Sequence, residues 1–256
     1  MAGFSKVNLI MIIILLTFIS RRVYNTAYTS VVPLGEYYFK IPYAGIAESL
    51  LYFSSILGTL LAGFLFYRKI YILSTILAFI SSLMLIYKTL FFIGSFLFGF
   101  AFGIIIAYML TITSFYGKSS LFLYSVSLGI ASVVQPIIET FLLTFTNILT
   151  VFMISASFSF LYFLLSSIFI KFPFNSRNSL KLKINRGVIL SSISIIVYVL
   201  PLAFVSTFIV IYAVSTFHIS ESLAYSLFIP FFISSTIIRY ISAKYSIRNS
   251  ILLIFQ

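Results

Sequence analysis

The chain has no cysteine, no tryptophan and no aspartate, a single histidine, and only four acidic residues, all of them glutamate. The absence of cysteine excludes disulfides, thiolate nucleophiles and cysteine-based metal sites. The absence of aspartate argues against intramembrane enzymes that hold Mg²⁺ on paired aspartates. The one histidine, His218, is predicted in a loop. We therefore expect no enzymatic activity, no catalytic residue, no metal site and no cofactor.

Charged residues make up only 8% of the chain, against about 25% in soluble domains. Hydrophobic residues make up 62%, and the mean hydropathy is +1.19. A chain of 256 residues with this composition has room for about eight membrane-spanning helices of roughly 20 residues each. The net charge of +12 comes from basic residues that lie between apolar segments. We therefore expect no nucleic-acid partner and predict a multi-pass protein of the cell (plasma) membrane, with the lipid bilayer as its partner.

The apolar segments predict an all-α polytopic membrane protein with eight spans and the start of a ninth. The ninth starts near Ser246, and the ~11 residues that remain would cover only about 16 Å, too short a distance to cross a bilayer. The predicted limits of the eight spans are 8–35, 44–66, 71–87, 90–114, 120–145, 148–170, 188–216 and 221–240.

The basic residues predict the orientation of the chain. With the N-terminus in the cytoplasm, twelve of the sixteen Lys and Arg residues fall on the cytoplasmic side, and only Lys40 and Lys88 fall outside. This asymmetry obeys the positive-inside rule. The longest loop, 171–187, carries five basic residues. It is either an ordinary cytoplasmic loop or a linker between two structural halves.

The junction of the second and third spans resembles the cytoplasmic loop signature of the major facilitator superfamily, which runs roughly G-x-L-A-D-R-x-G-R. It reads LGTLLAGFLFYRK at 57–69. Tyr67 replaces the aspartate of the signature, and Ile70 replaces its second glycine. The residues assigned to this cytoplasmic loop motif are Gly58, Gly63, Leu65 and Arg68.

Further segments resemble the same family. A weaker echo of the loop signature lies at 239–248, on the same predicted side of the membrane, as expected for a parallel repeat. The fourth span carries Gly94, Gly99 and Gly103 and is similar to the family's glycine-rich fourth helix. The fifth span, with Gly129 and Pro136, resembles the family's fifth-helix motif.

The resemblance implies an MFS-like six-helix N-terminal bundle at 1–170, a cytoplasmic basic linker at 171–187 and an incomplete C-terminal bundle at 188–256, with two full spans and part of a third. It implies a secondary active transporter of a small solute by alternating access, with H⁺ as a candidate coupling ion. Because the family has twelve spans in two halves, we expect a C-terminally truncated member that needs its missing half or a second copy. The alternative is a non-transporting membrane fragment, or a subunit that requires a partner chain.

The first span carries a polar stripe at helical spacing, and the fifth span carries a carboxylate, Glu139, interpreted as the only one well inside a span. Polar and charged groups in a spanning helix should face the bundle interior. They form a solute or ion pathway, a structural ion pair or hydrogen bonds between helices. We expect at least one arginine to interact with Glu139, directly or through water. The predicted pathway residues are Arg21, Arg22, Asn25, Thr26, Thr29, Gln135 and Glu139.

Small residues recur at helical spacing in the second, fourth and fifth spans and predict close helix packing. Glu48, near the outer end of the second span, is interpreted as a charge at the membrane interface. The residues predicted to serve helix packing are Gly99, Gly103, Ala107, Gly129 and Pro136.

Overall fold

The computed structural model describes residues 6–65, 67–115, 118–170 and 208–246. The described residues are about 90% helical and contain no strand. The predicted all-α class is therefore confirmed. The basic linker at 171–187, most of the seventh predicted span and the segment after Ser246 lie outside the described residues.

Nine helices occupy the described ranges. A π-helical turn at Leu34–Tyr38 continues the first of them, and a 3₁₀ turn at Lys88–Leu90 precedes the fourth. The helices are α1 (Lys6–Pro33), α2 (Gly45–Phe64), α3 (Arg68–Met84), α4 (Phe91–Phe115), α5 (Lys118–Phe145), α6 (Ile148–Phe169), α7 (Phe208–Phe217), α8 (Glu221–Ser226) and α9 (Phe228–Ser246).

The segment 221–240, predicted as one span, is divided at Leu227 into α8 and α9. Pro230 has no backbone N–H and cannot donate to the carbonyl of Ser226, four residues earlier, so the helical hydrogen-bond ladder is interrupted at this point. The side chain of Ser220 caps the start of α8 by accepting from the backbone N–H of Leu223 at 3.3 Å.

Five helical segments are long and apolar enough to cross a membrane, which indicates a multi-pass membrane protein. The α1 helix, with its two arginines, and the 17-residue α3 are not among them, so the count of eight spans stays a prediction. The five segments are Gly45–Phe64, Lys88–Ser114, Ser120–Phe145, Ile148–Phe169 and Glu221–Ile238.

The helix α2 has one exposed apolar face and one buried face. Phe53, Ile56, Leu60 and Phe64 follow one another at spacings of three and four residues, and each is more than half exposed. Such an exposed apolar stripe suits contact with lipid acyl chains. The opposite face is buried and carries small residues that include Ser54 and Gly58.

Glycines allow α2 and α4 to approach each other closely. A Cβ atom added at Gly58, Gly99 or Gly103 would lie 2.1 Å from a backbone oxygen of the other helix. Gly58 therefore belongs to the packing face of α2. The other residues predicted for packing lie in α4 and α5: Ala107 packs against the core, Gly129 contacts Thr236 of α9, and Pro136 lies inside α5.

The position of α1 in the bundle determines the surroundings of its polar stripe. This helix packs against α5 on one side and α6 on another, whereas α5 also packs against α8 and α9. The side chains on the α5-facing side of α1 therefore lie near the contact between α5 and α8.

A buried polar cluster between α1, α5 and α8

Glu139 of α5 lies at the centre of the cluster and is only 2% exposed. Its Oε2 accepts from the hydroxyl of Thr29 at 3.4 Å, and its Oε1 accepts from the hydroxyl of Ser30 at 3.5 Å. Thr26 and Gln135 are further side-chain hydrogen-bonding partners of the carboxyl. At these lengths the bonds to Thr29 and Ser30 are weak, so the carboxylate is surrounded by donors without being held tightly by them.

The helix α8 supplies the third side of the cluster through Tyr225. This side chain is fully buried and interacts electrostatically with Glu139. Beside it, the hydroxyl of Ser222 donates to the carbonyl of Thr140 at 2.9 Å. Tyr225 and Ser222 thus join α8 to the part of α5 that carries the carboxylate.

The two arginines of α1 point to different neighbours. Arg21 donates from its Nε to the hydroxyl of Ser132 in α5 at 3.3 Å. The guanidinium of Arg22 lies over the ring of Phe158 in α6, 3.9 Å from its centroid. Arg22 and Glu139 attract each other electrostatically. The expected interaction of at least one arginine with Glu139, directly or through water, stays a prediction.

The surroundings of Arg22 compensate its charge only in part. The helix α1 is predicted to span the membrane, and a charged side chain at the centre of such a helix costs about 2.5–3.5 kcal/mol on insertion scales. A cation–π contact such as the one with Phe158 recovers about 0.5–2 kcal/mol. The attraction of Glu139 and other groups inside the bundle must offset the rest of the free-energy cost of the Arg22 charge.

Several buried polar atoms near Glu139 have no hydrogen-bond partner within the described part of the chain. Each such atom costs about 1–3 kcal/mol, and buried polar groups of this kind ordinarily bind water or a ligand. The three atoms are Asn25 Nδ2, Gln135 Oε1 and Thr140 Oγ1.

The structure brings together most of the predicted pathway residues. Thr29 contacts both Glu139 and Gln135, the latter at 3.5 Å. Thr29 also donates to the carbonyl of Asn25 at 2.9 Å. Whether these residues line a pathway remains a prediction.

Glu48 lies in the first turn of α2 and is only 3% exposed, so Glu139 is not the only buried carboxylate. The interpretation of Glu48 as a charge at the membrane interface stays a prediction. Glu48 and Arg21 both interact electrostatically with Tyr24. The signal for this burial was present in the sequence, because Glu48 lies at helical spacing from Leu51 and the other buried residues of α2.

At one end of the bundle, the turn that follows α1 meets α7 and α8. The hydroxyl of Tyr37 donates to the carbonyl of Ile211 at 3.4 Å, and Lys40 attracts Glu221 electrostatically. Burial raises the pKa of Glu36 in the same turn. These contacts tie the first and last described segments together on the side of the bundle where α8 begins.

A second buried group, of tyrosines, holds the turn between α2 and α3. The hydroxyls of Tyr71 and Tyr162 are 2.7 Å apart. The hydroxyl of Tyr108 donates to the carbonyl of Leu65 and accepts from the backbone N–H that follows the turn at 2.8 Å. Arg68 donates to the carbonyl of Ser167 at the end of α6, at 3.0 Å. Two residues of the predicted loop motif, Leu65 and Arg68, thus bind α4 and α6.

Gly63, the remaining glycine of that motif, has open space around it, because an added Cβ would meet nothing within 4 Å. A separate pocket of about 390 Å³ lies between α3 and α6 and contains none of the predicted site residues. It is lined by Phe79, Leu83, Ile86, Met153, Ala156, Ser157 and Phe160. Among the residues that the structure describes, no group of His, Cys, Asp and Glu side chains is arranged to hold a metal ion.

No protein-family model matches the chain, and no curated protein matches it. The likeness to the major facilitator superfamily therefore depends on the loop and helix motifs of the sequence itself.

Proposed function

We propose that the chain is a secondary transporter of the major facilitator type, which moves a small solute across the cell membrane by alternating access. The observation that carries the proposal is the buried Glu139. This carboxylate lies in a helix long and apolar enough to cross the bilayer and is surrounded by hydroxyls of α1. Ionisable groups inside spanning helices mark solute pathways and proton relays.

The location of the cluster fits such a mechanism. In the proposed architecture α1 and α5 belong to the first half of the transporter, and α8 and α9 belong to the second. Glu139 and Tyr225 then meet across the boundary between the halves. Rocking of one half against the other separates these groups and exposes the cluster to one side of the membrane at a time.

A proton is the coupling ion that the cluster favours. Burial disfavours the ionised form of the Glu139 carboxylate, whereas the nearby hydroxyls and the attraction of Arg22 favour it. When the halves separate, water reaches the carboxylate and exchanges its proton. The Nδ2 of Asn25 and the Oε1 of Gln135 have no hydrogen-bond partner within the described residues. They can supply one donor and one acceptor, respectively, to a polar solute bound in this cluster.

Accessibility from the two sides of the membrane tests alternating access without knowledge of the solute. The chain has no cysteine, so Asn25→Cys introduces a single thiol at a position that is 1% exposed. We expect a membrane-impermeant thiol reagent to label it in both right-side-out and inside-out vesicles. Ile130→Cys is the matched control, because Ile130 lies on the exposed apolar face of α5 and should react from neither side. Labelling of position 25 from one side only, or from neither, would contradict the proposal and favour a non-transporting membrane subunit.

A further inference from the structure

Arg22 has a large capacity for hydrogen bonds that the described residues do not use. A guanidinium carries five N–H donors and no acceptor. Arg22 is half-buried in the middle of α1, and it makes no hydrogen bond to any residue in the described ranges. Its neighbour Arg21 differs, because Arg21 donates to Ser132. Arg22 is therefore a cation inside the bundle whose donors are available to a ligand.

The contact with Phe158 limits how a ligand can approach. The ring centroid lies 3.9 Å from the guanidinium carbon, and the ring offers no oxygen or nitrogen acceptor to the planar edge with its paired N–H groups. This edge matches the two oxygens of a carboxylate or a phosphate, which it binds with two parallel hydrogen bonds.

Asn25 adds a second donor on the same side of α1. It follows Arg22 by three residues, so both side chains lie on one helical face. Asn25 is 1% exposed, and its Nδ2 is buried without a hydrogen-bond partner. The buried N–H₂ of Asn25 and the guanidinium edge of Arg22, one turn apart, both present donors, and the guanidinium adds a positive charge. This composition selects an anion.

We propose that Arg22 and Asn25 form a binding site for a small oxoanion, a carboxylate or a phosphate group, carried by the transported solute. The transport role rests on the proposed function, whereas the binding site stands on its own geometry. Glu139 on α5 attracts Arg22 electrostatically, and Arg21 precedes Arg22 on the same helix. Glu139 competes with the anion for the attraction of Arg22, so neutralising this carboxylate strengthens anion binding.

Binding to the purified full chain in lipid nanodiscs tests the site. The probes are sodium phosphate and sodium acetate, with sodium chloride at equal ionic strength as the reference, and the readouts are titration calorimetry and the thermal unfolding midpoint. We expect the wild type to bind at least one oxoanion more tightly than chloride. Arg22→Gln should weaken this binding by about tenfold to a hundredfold, because charge-assisted hydrogen bonds are lost.

Matched variants separate the site from general charge effects. Arg22→Lys keeps the charge but not the planar edge and should bind with intermediate affinity. Glu139→Gln should bind more tightly than the wild type. Lys88→Gln removes an exposed cation far along the chain and should bind as the wild type does. Binding by phosphate alone or acetate alone would identify which group the solute carries.

Equal affinity of wild type and Arg22→Gln for phosphate and acetate would overturn the inference, as would a wild type that prefers chloride or binds no oxoanion at all. These outcomes are distinct from failure of the transport proposal. Anion binding with one-sided labelling of position 25 would mean a binding protein that does not transport. Two-sided labelling without anion binding would mean a transporter whose solute is of another class.

Discussion

Replacing Gly103 by alanine should weaken the contact between α2 and α4. The added Cβ would lie 2.1 Å from the carbonyl oxygen of Ser55, a distance that real Cβ atoms essentially never show. This oxygen belongs to the helix backbone and cannot rotate away, so the two helices must separate locally by about 1 Å to reach 3.0 Å. The separation also lengthens the 3.2 Å hydrogen bond from the hydroxyl of Thr59 to the carbonyl of Gly103.

The magnitude follows from three terms. Overpacking of a well-packed contact costs about 1–3 kcal/mol, and the lost hydrogen bond costs about 1 kcal/mol. Alanine is a better helix former than glycine and recovers about 1 kcal/mol. We therefore expect Gly103→Ala to lower the free energy of unfolding by about 1–3 kcal/mol.

Gly63→Ala is the matched control, because an added Cβ there meets nothing within 4 Å. It gains the same helix propensity, up to about 1 kcal/mol, without a clash. Reversible unfolding in mixed detergent micelles, followed by circular dichroism, measures both variants. Equal stability of Gly103→Ala and Gly63→Ala would refute the close approach of α2 and α4.

The polar groups can be tested in the same way. Arg22→Met and Glu139→Gln should be non-additive, since each leaves the other charge uncompensated; strict additivity would show that the two charges act independently. Tyr71→Phe and Tyr162→Phe should each lower the free energy of unfolding by about 1 kcal/mol. The double variant should lower it by less than the sum, because each single variant already loses the same 2.7 Å hydrogen bond. Tyr38→Cys should react with a membrane-impermeant thiol reagent in intact cells, because the predicted topology places position 38 outside the cell. Labelling only from the cytoplasmic side would show that the predicted orientation is wrong.

The parts of the fold that follow from local sequence were accessible before the structure. Continuous apolar runs predicted the helices α1 to α6 within a few residues, because a run of about 20 apolar residues has few alternatives to a spanning helix. Helical spacing also grouped Thr29 with the other polar residues of α1, and the spacing of Gln135 and Glu139 placed them near each other on α5. The contacts among these three residues show one polar face meeting another.

The parts that depend on the arrangement of distant helices were not accessible. Helical spacing tells which residues share a face, but not which helix covers that face. It therefore did not predict that Arg22 turns to Phe158 of α6 while Arg21 turns to α5. Long, flexible arginine side chains add to this freedom. Tyr225 gave no signal, because a single tyrosine in an apolar segment is ordinary until α8 is placed against α5.

Flux through the purified chain, reconstituted in liposomes at several copies per vesicle so that a second copy can complete the bundle, tests the central claim most directly. The measurement is uptake of radiolabelled phosphate and of a radiolabelled dicarboxylate, two solutes that do not cross lipid unaided. The account predicts saturable uptake of at least one of them by the wild type, loss of uptake in Arg22→Gln, and uptake at the wild-type level in Lys88→Gln. Wild-type uptake no faster than that of protein-free liposomes for both solutes, or uptake unaffected by Arg22→Gln, would contradict it.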